Sequence, residues 1–583
     1  MRIVLIYPPP WQIPQPGESP QKYKVRAPQG IDLSACLNGD ILNIPQGLLS
    51  LAAQEKDRGN EVEVLNLFTF PWSNIEEIMT RFQADIYGLS VFTANRRGAL
   101  ALAELIKEIH PGSHVAAGGP HATALSEEIL LNCTAIDIVV RGEGEQTFRE
   151  LVHRCSRGTD LSHVPGTVFR KQGKIIQAPQ RKRITNLDRL ISPFRYYDDY
   201  LLLTSRGCAW NCSFCASRSI WGNKRYAHSP AYILDSLEQM VNKNRQKNIA
   251  LKDETFTADK TRVLDVCKGI LDRKLNFLWS CDTRADSLDE EILFMMRKAG
   301  CQRISFGVES ASQKILQNLN KKIEPDTVRK ATCLARKFGF QLRYYMIVGS
   351  RGETMETLKE SIDFLMSEKP SQVIFNPFTL FPGTPEFEVA QQDGTVDENL
   401  FFKNDFFELS PLLFETDNKE TQCIKDWVVE NAGLKTVSGY TLEERKKIYA
   451  LFPKSHFVSL DLAEACYQEG NFEMAEKFVH EAADRNYPHK GILHNYFACL
   501  SFQKNDLKSA LENLIKAKEE GYHQIVEENI AKVQSWIRSG GPGSNVKLAL
   551  ATGHDFEVTR PFKQPVTPGR LKLDRKEIKP VVF

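Results

Sequence analysis

The chain has 583 residues, 42% apolar and 25% charged, an ordinary globular composition with apolar matter for several cores. Lys and Arg total 75 against 73 Asp and Glu, a formal charge of +2, so no global field draws the protein to nucleic acid or to an anionic membrane. No stretch reaches the roughly 18 apolar residues of a membrane helix. The short opening run ends in Pro8-Pro9-Pro10, unlike an export signal, and the expected compartment is the cytoplasm.

The first 190 residues alternate strand and helix patterns. Strands are expected at 3–7, 61–67, 86–92, 114–117 and 136–140, and helices at 47–58, 75–82, 99–109, 124–131 and 146–155. That alternation predicts a doubly wound, Rossmann-like parallel sheet with helices on both faces. Ligands of such sheets sit beyond the carboxyl ends of the strands. Those ends carry Pro9, then Ser90 and Thr93, then Gly118, Gly119, Pro120 and His121, then Gly142, Glu143, Gly144 and Glu145. Glycines along one edge let backbone approach a large flat ligand, although any one of these loops alone reads equally as a tight turn. No G-x-G-x-x-G follows the first strand, which disfavours a dinucleotide. Residues 11–43, rich in Pro, Gln and Gly, are long enough to cap the ligand edge. A small β segment at 166–170 and 174–177 precedes a linker.

The next stretch packs three thiols into eight residues: Cys208, Cys212 and Cys215, spaced C-x3-C-x2-C. A tetrahedral zinc would lack one ligand, unless His228 supplied it. An iron–sulfur cube usually has four cysteines, so three leave one iron open to a small molecule. The remaining cysteines of the thirteen are scattered, and in a reducing compartment they read as small buried apolar side chains. A second strand–helix alternation runs from 195 to 395, with strands at 201–205, 248–252, 277–281, 303–307, 341–348 and 373–380. This predicts a partial (β/α)6 TIM barrel with its chemistry at the C-terminal strand ends. These ends deliver the cysteines, then Asp253 and Glu254, Arg284, Glu309 and Ser310, Gly349, and Phe381-Pro382-Gly383. Arg284 and Glu309 also read as a structural ion pair.

The sequence C-x3-C-x2-C with Phe214 before the last cysteine, F-G-V-E-S at the fourth strand and F-P-G-T-P at the sixth resembles the radical S-adenosylmethionine (SAM) superfamily. G-G-P-H and G-E-G-E in the first 155 residues resemble the cobalamin (B12)-binding domain joined to some of its members. There is no D-x-H-x-x-G, so no histidine is expected on the lower face of the cobalt. The resemblance implies a [4Fe–4S] cluster on the three cysteines and SAM held by Phe214, Asp253, Glu254, Arg284, Glu309, Ser310 and Gly349. It implies cobalamin along Pro9, Ser90, Thr93, Gly118 to His121 and Gly142 to Glu145, and an external electron donor like flavodoxin or ferredoxin. The implied activity is a methyltransferase: one SAM methylates cobalt, another yields a 5′-deoxyadenosyl radical that abstracts a substrate hydrogen, and the methyl follows. The same signature fits a non-methylating cyclase or rearrangement enzyme, or a polar methyltransferase. A metal- or cobalamin-holding scaffold is the non-enzymatic alternative. The substrate, whether small molecule, lipid or peptide, is open.

Beyond 395 the pattern turns helical. Residues 396–455 read as a connecting segment with helical signals from Glu420 and Thr441. Between 456 and 540, Gly470-Asn471-Phe472 with Ala475 and Ala482 recurs as Asn505-Asp506-Leu507 with Ala510 and Ala517. That spacing resembles tetratricopeptide helix pairs, which serve either to cap the preceding domain or to contact a peptide or protein. Residues 541–583 read as an extended arm.

Overall fold

The computed structural model describes residues 1–9, 44–68, 70, 72–394, 396, 400–403, 439–521, 524–539 and 546–551. The expected cap at 11–43, the helical signal at Glu420, Cys36, Cys423 and all of the arm except 546–551 lie outside the described residues.

The first sheet has seven strands: β1 (Arg2–Tyr7), β2 (Glu61–Asn66), β3 (Ile86–Ser90), β4 (His114–Gly118), β5 (Ile138–Val140), β6 (Thr167–Lys171) and β7 (Lys174–Gln177). Their order is β2-β1-β3-β4-β5-β6-β7. The first five are parallel, with Leu5 beside Gly88 and Ser90 beside Gly118. They are nearly continuous apolar runs because both faces are buried. The order reverses around β1, which places the ligand crevice above the ends of β1 and β3. The small β segment expected ahead of the linker is present and joins this sheet. It is a hairpin that turns at Gln172 and Gly173, both at positive φ, and adds antiparallel to the edge strand β5.

The second sheet holds six parallel strands in chain order: β8 (Leu201–Leu202), β11 (Asn248–Leu251), β12 (Leu278–Thr283), β13 (Cys301–Glu309), β14 (Gln341–Val348) and β15 (Gln372–Pro377). The strand expected at 201–205 is split. Leu201 and Leu202 stay in the sheet, while Ser205–Arg206 (β9) pairs with Tyr226–Ala227 (β10). The cause is Asp253, whose carboxylate takes the amides of Thr204 and Ser205 out of the sheet ladder. A bulge in β13 between Gly307 and Glu309 leaves Glu309 at φ +67°, a placement typical of strand ends that re-aim a side chain.

The two sheets share a core. Ile315, Leu319, Phe378, Leu380 and Phe401, from the second half of the chain, join the apolar cluster on one face of the first sheet. Six helices follow from Leu442 to Ser539. Fully buried alanines, among them Ala463, Ala482, Ala498 and Ala510, let them cross closely. The recurring Asn471 and Asp506 are N-caps, accepting the amides of Met474 and Ser509. The helices pack on the second sheet through Arg297, whose guanidinium meets Asp461 at 2.6 Å.

Candidate functional site

The cysteine loop is held from both ends. At its start, Asp253 is fully saturated: Oδ1 accepts from the amides of Thr204 and Ser205, and Oδ2 from their hydroxyls at 2.6 and 2.7 Å. Arg262, also buried, completes the set at 3.2 Å. Asp253 therefore positions the loop and has no lone pair to spare for SAM, which corrects the expectation for this residue. Gly207 follows at φ +88°, where a Cβ would lie 2.5 Å from the Lys224 carbonyl. At the far end, Ser213 donates its amide to the Leu319 carbonyl and its hydroxyl to Glu386, and Asn320 holds the Asn211 carbonyl.

Cys208, Cys212 and Cys215 are all free and half-buried. Burial pushes the Cys215 thiol up to about 11. Burial also raises Cys212, against the opposing pull of the Lys321 and Arg284 cations. Among the described residues no three His, Cys, Asp or Glu side chains converge closely enough to share a single metal ion. Three cysteines in one short loop suit an iron–sulfur cube with one iron left to a small molecule. His228 is engaged elsewhere, stacked on Tyr232 and 3.1 Å from Asp188.

Around the thiols, Arg284 is buried against Asp286 and lies 4.6 Å from the Trp210 ring, with one guanidinium nitrogen (Nη1) unpartnered. Glu309 pairs with Lys321 at 2.8 Å. The alternative ion pair of Arg284 with Glu309 is not formed. Glu254 accepts from Ser217 at 3.0 Å, and burial raises its carboxyl. Gly349 donates its amide to Glu353, whose carboxyl burial pushes up to about 7. Ser310 is turned inward to Ser361 and the amide of Ser312, a structural role. Phe214 packs on the shared core. Lys321 and Trp210 were not expected from sequence. Trp210 was legible in principle, lying between two candidate ligands, but Lys321 follows a helix and carries no periodic signal.

Above the first sheet lies a largely apolar cavity of about 440 Å³, walled by both halves of the chain. Ser90, Gly118, Gly119, Pro120, Gly142, Glu143, Gly144 and Glu145, among the residues named for cobalamin, line it. Thr93 and His121 do not. They face the other side of the strand ends, 3.1 Å from each other, with His121 edge-on to Phe401. Burial, and then the Arg96 cation, hold that imidazole down at about 3, so it stays neutral. Pro9 is buried outside the wall, its neighbour Pro8 carbonyl bound by Asn95. The opposite wall brings Arg206, Trp221, His228, Tyr232 and Lys252, none of them expected.

Arg206 joins the two halves. It donates to Glu143 at 3.0 Å and to Glu145 at 2.5 Å, and Glu145 also accepts from Ser50 at 2.7 Å. Burial alone would lower the Arg206 pKa, but Glu145 and Glu143 outweigh it and raise it. For Glu145 the Arg206 cation likewise outweighs burial and keeps the carboxylate ionised. The two glutamates expected to contact cobalamin thus clamp the strand that leads to Cys208. Replacing Arg206 with Met leaves two buried carboxylates unpaired and is expected to cost about 3–5 kcal/mol in urea unfolding, with Arg206→Lys recovering part of it.

Glycines and apolar side chains along the cavity suit the face of a flat ring. The cavity floor is apolar, and Gly119 at φ +99° forms a rim where a Cβ would lie 2.9 Å from the Val91 carbonyl. Gly119→Ala is expected to weaken cobalamin binding about tenfold or more through backbone strain, read by equilibrium dialysis against the corrinoid absorbance.

The B12 binding domain model matches residues 33–152, and the Radical SAM superfamily model matches residues 202–365. An uncharacterized methyltransferase of Pyrococcus horikoshii is 32% identical over 359 residues, covering 59% of this chain and 78% of that one. The anaerobic magnesium-protoporphyrin IX monomethyl ester cyclase of Rubrivivax gelatinosus is 28% identical over 332 residues. That match covers 54% of this chain and 60% of the cyclase. The solved structure of the cobalamin-dependent S-adenosylmethionine radical enzyme OxsB, with aqua-cobalamin and S-adenosylmethionine bound, aligns with a TM-score of 0.57 at 17% identity. It covers 93% of this chain and 84% of that one, a likeness of fold. The chain belongs to the cobalamin-binding radical SAM enzymes, a family that works with cobalamin, SAM and a [4Fe–4S] cluster and has methyltransferases among its members.

Proposed function

We propose that the protein transfers a methyl group to a carbon of a small, largely apolar substrate held between the interdomain cavity and the cysteine loop. One observation carries this reading: Arg206-Gly207-Cys208 is wall of the cavity at its first residue and candidate cluster ligand at its third. Two cofactor sites are thereby fixed to one short stretch of backbone. When bound, the cluster with SAM supplies radical chemistry and cobalamin supplies the methyl group.

The chain's own residues bind and orient. Cys208, Cys212 and Cys215 would hold the cluster, which would bind SAM. Lys321 and Arg284 place two cations beside the thiols, suited to the SAM carboxylate. Glu254 suits its ammonium, and Glu309, oriented by Lys321, its ribose. Gly349 leaves room for the adenine, and Phe214 keeps water from the thiols. The glycine edge carries the corrin ring. The second sheet is read as the partial (β/α)6 barrel and the C-terminal helices as tetratricopeptide-like, with a soluble flavodoxin or ferredoxin as electron donor in the cytoplasm. The near-neutral charge supports a partner set without nucleic acid.

The test is anaerobic reconstitution with iron, sulfide, cobalamin and SAM, followed by product analysis. Radical methylation yields both S-adenosylhomocysteine and 5′-deoxyadenosine. The match to the cyclase of Rubrivivax gelatinosus favours a second reading, ring formation without methyl transfer, in which 5′-deoxyadenosine dominates. S-adenosylhomocysteine alone indicates a polar transfer. Protein that binds neither cluster nor cobalamin refutes all three.

A further inference from the structure

The second sheet has two unlike faces. Side chains alternate along each strand, and one set, including Ile249, Trp279, Phe306 and Tyr344, packs into the apolar core shared with the helices. The other set is polar. Strand pairing places Asp282 of β12 beside Ser305 of β13, Ser305 beside Arg343 of β14, and Arg343 beside Gln372 of β15. Lys252 completes the row just past the end of β11, 2.8 Å from Asp282. Parallel sheets usually bury apolar side chains on both faces, and the interior of a parallel barrel is filled mainly by branched apolar ones. Here five strands bring five polar side chains to one row, two of them cations and one a carboxylate.

Within the row Arg343 donates to Gln372 at 2.7 Å, and both Arg343 and Ser305 are buried. One row nearer the strand ends, the Tyr345 hydroxyl is buried without a partner, the mark of a place meant for a ligand or a water. One row the other way, Ser280 and Arg303 line a pocket of about 40 Å³ together with Asp461 and Glu464 of the helix His456–Gln468. Asp461 is committed to Arg297 and Arg445. The row opens on the interdomain cavity through Lys252. The charged side chains lining that cavity are Glu143, Glu145, Arg206 and Lys252. The first three pair with one another, whereas Asp282, the carboxylate beside Lys252, stands outside the lining. Lys252 is thus a cation in a largely apolar wall, where attraction for an opposite charge is screened less than in water.

We propose that the substrate carries an acid head group, seated on the polar face of the second sheet between Lys252 and Arg343, with its apolar body in the interdomain cavity. The two cations are three strand spacings apart, about 14 Å between Cα atoms, a span that two long side chains close around one head group. Arg343 suits a bidentate contact and Tyr345 adds a hydroxyl donor. Asp282 holds Lys252 in place and competes with the ligand for it, so affinity follows the balance between the two carboxylates. The inference rests on the reading of the cavity as a substrate site and adds the chemical class of what is bound.

The test is equilibrium dialysis of the reconstituted protein, with cobalamin and SAM saturating, against two probes: dansylglycine, an apolar ring system with a carboxylate, and its methyl ester, which lacks the charge. The acid is expected to be held about tenfold more tightly than the ester. Lys252→Met is expected to bring the two within about twofold, through loss of the acid alone, and Lys252→Arg to restore part of the preference. Asp282→Asn removes the competing carboxylate and is expected to raise affinity for the acid about threefold, a gain that misfolding cannot produce. Retention of the ester checks the fold of each variant. Equal retention of acid and ester, retention of neither, or a preference that survives Lys252→Met overturns the proposal. So does an acid preference seen only when SAM or cobalamin is left out, which assigns the row to a cofactor's carboxylate or phosphate. Dialysis reads binding without turnover. Missing methylated product beside an intact acid preference refutes methyl transfer and leaves the head group, and methylation without acid preference does the reverse.

Discussion

Alanine at Cys208, Cys212 or Cys215 is expected to abolish cluster binding and radical activity while cobalamin binding stays within about twofold of wild type. The thiols are the proposed ligands, and among the described residues His228, the other candidate, is committed to Asp188 and Tyr232. The remaining described cysteines are placed elsewhere. Cys267, Cys281 and Cys301 are buried in the core of the second sheet, and Cys466 and Cys499 among the helices. The fold should survive, because the loop is held by Asp253 at one end and by Ser213 and Asn320 at the other, not by the cysteines themselves. Iron and labile sulfide analysis reads the first effect, and retention of the corrinoid spectrum after gel filtration reads the second. Loss of cobalamin in all three variants would show that the two sites are not separable.

Asp253→Ala is expected to lower stability by about 3–5 kcal/mol even with no SAM present, because it strips a buried arginine and two turn amides of their partner at once. Arg262 is 6% exposed and its carboxylate partner 1%. A residue serving only SAM would change SAM affinity and leave the unfolding midpoint of the SAM-free protein alone. Urea unfolding of that form separates the two roles. Asp253→Asn keeps an acceptor for the amides of Thr204 and Ser205 but places an amide nitrogen against Arg262, so an intermediate loss is expected. In both variants the cysteine loop loses its anchor, and cluster content should fall with stability.

The strand–helix alternation was legible because many of the parallel strands are buried on both faces and read as apolar runs, as in Val4–Ile6 or Ile249–Leu251. What a local pattern could not show was long-range competition for backbone. Leu201–Ser205 reads as one strand, yet an aspartate 48 residues beyond Ser205 divides it. Orientation was similarly hidden: Gly118–His121 sits at the right edge, but only the turn geometry sends Gly119 to the cavity and His121 to the Phe401 side. Charge pairing also exceeded sequence reading. Glu309 finds Lys321 across a short helix, and Glu143 and Glu145 find Arg206 more than 60 residues away. Candidate residues could thus be named by type and strand end, whereas which side chain each one meets depends on tertiary contacts.

The apolar cluster that runs from the first sheet into Phe378, Leu380 and Phe401 has a kinetic consequence. Because this cluster and the buried Arg206 pairs to Glu143 and Glu145 both cross between the halves, widening the cavity by hinging would expose core to water and break buried ion pairs. Release of a ligand seated there is expected to speed up when the protein opens locally. Cofactor retention through purification should therefore track unfolding rate more closely than equilibrium affinity, and substitutions that loosen Phe401 should shorten residence time without touching a single cavity-lining residue.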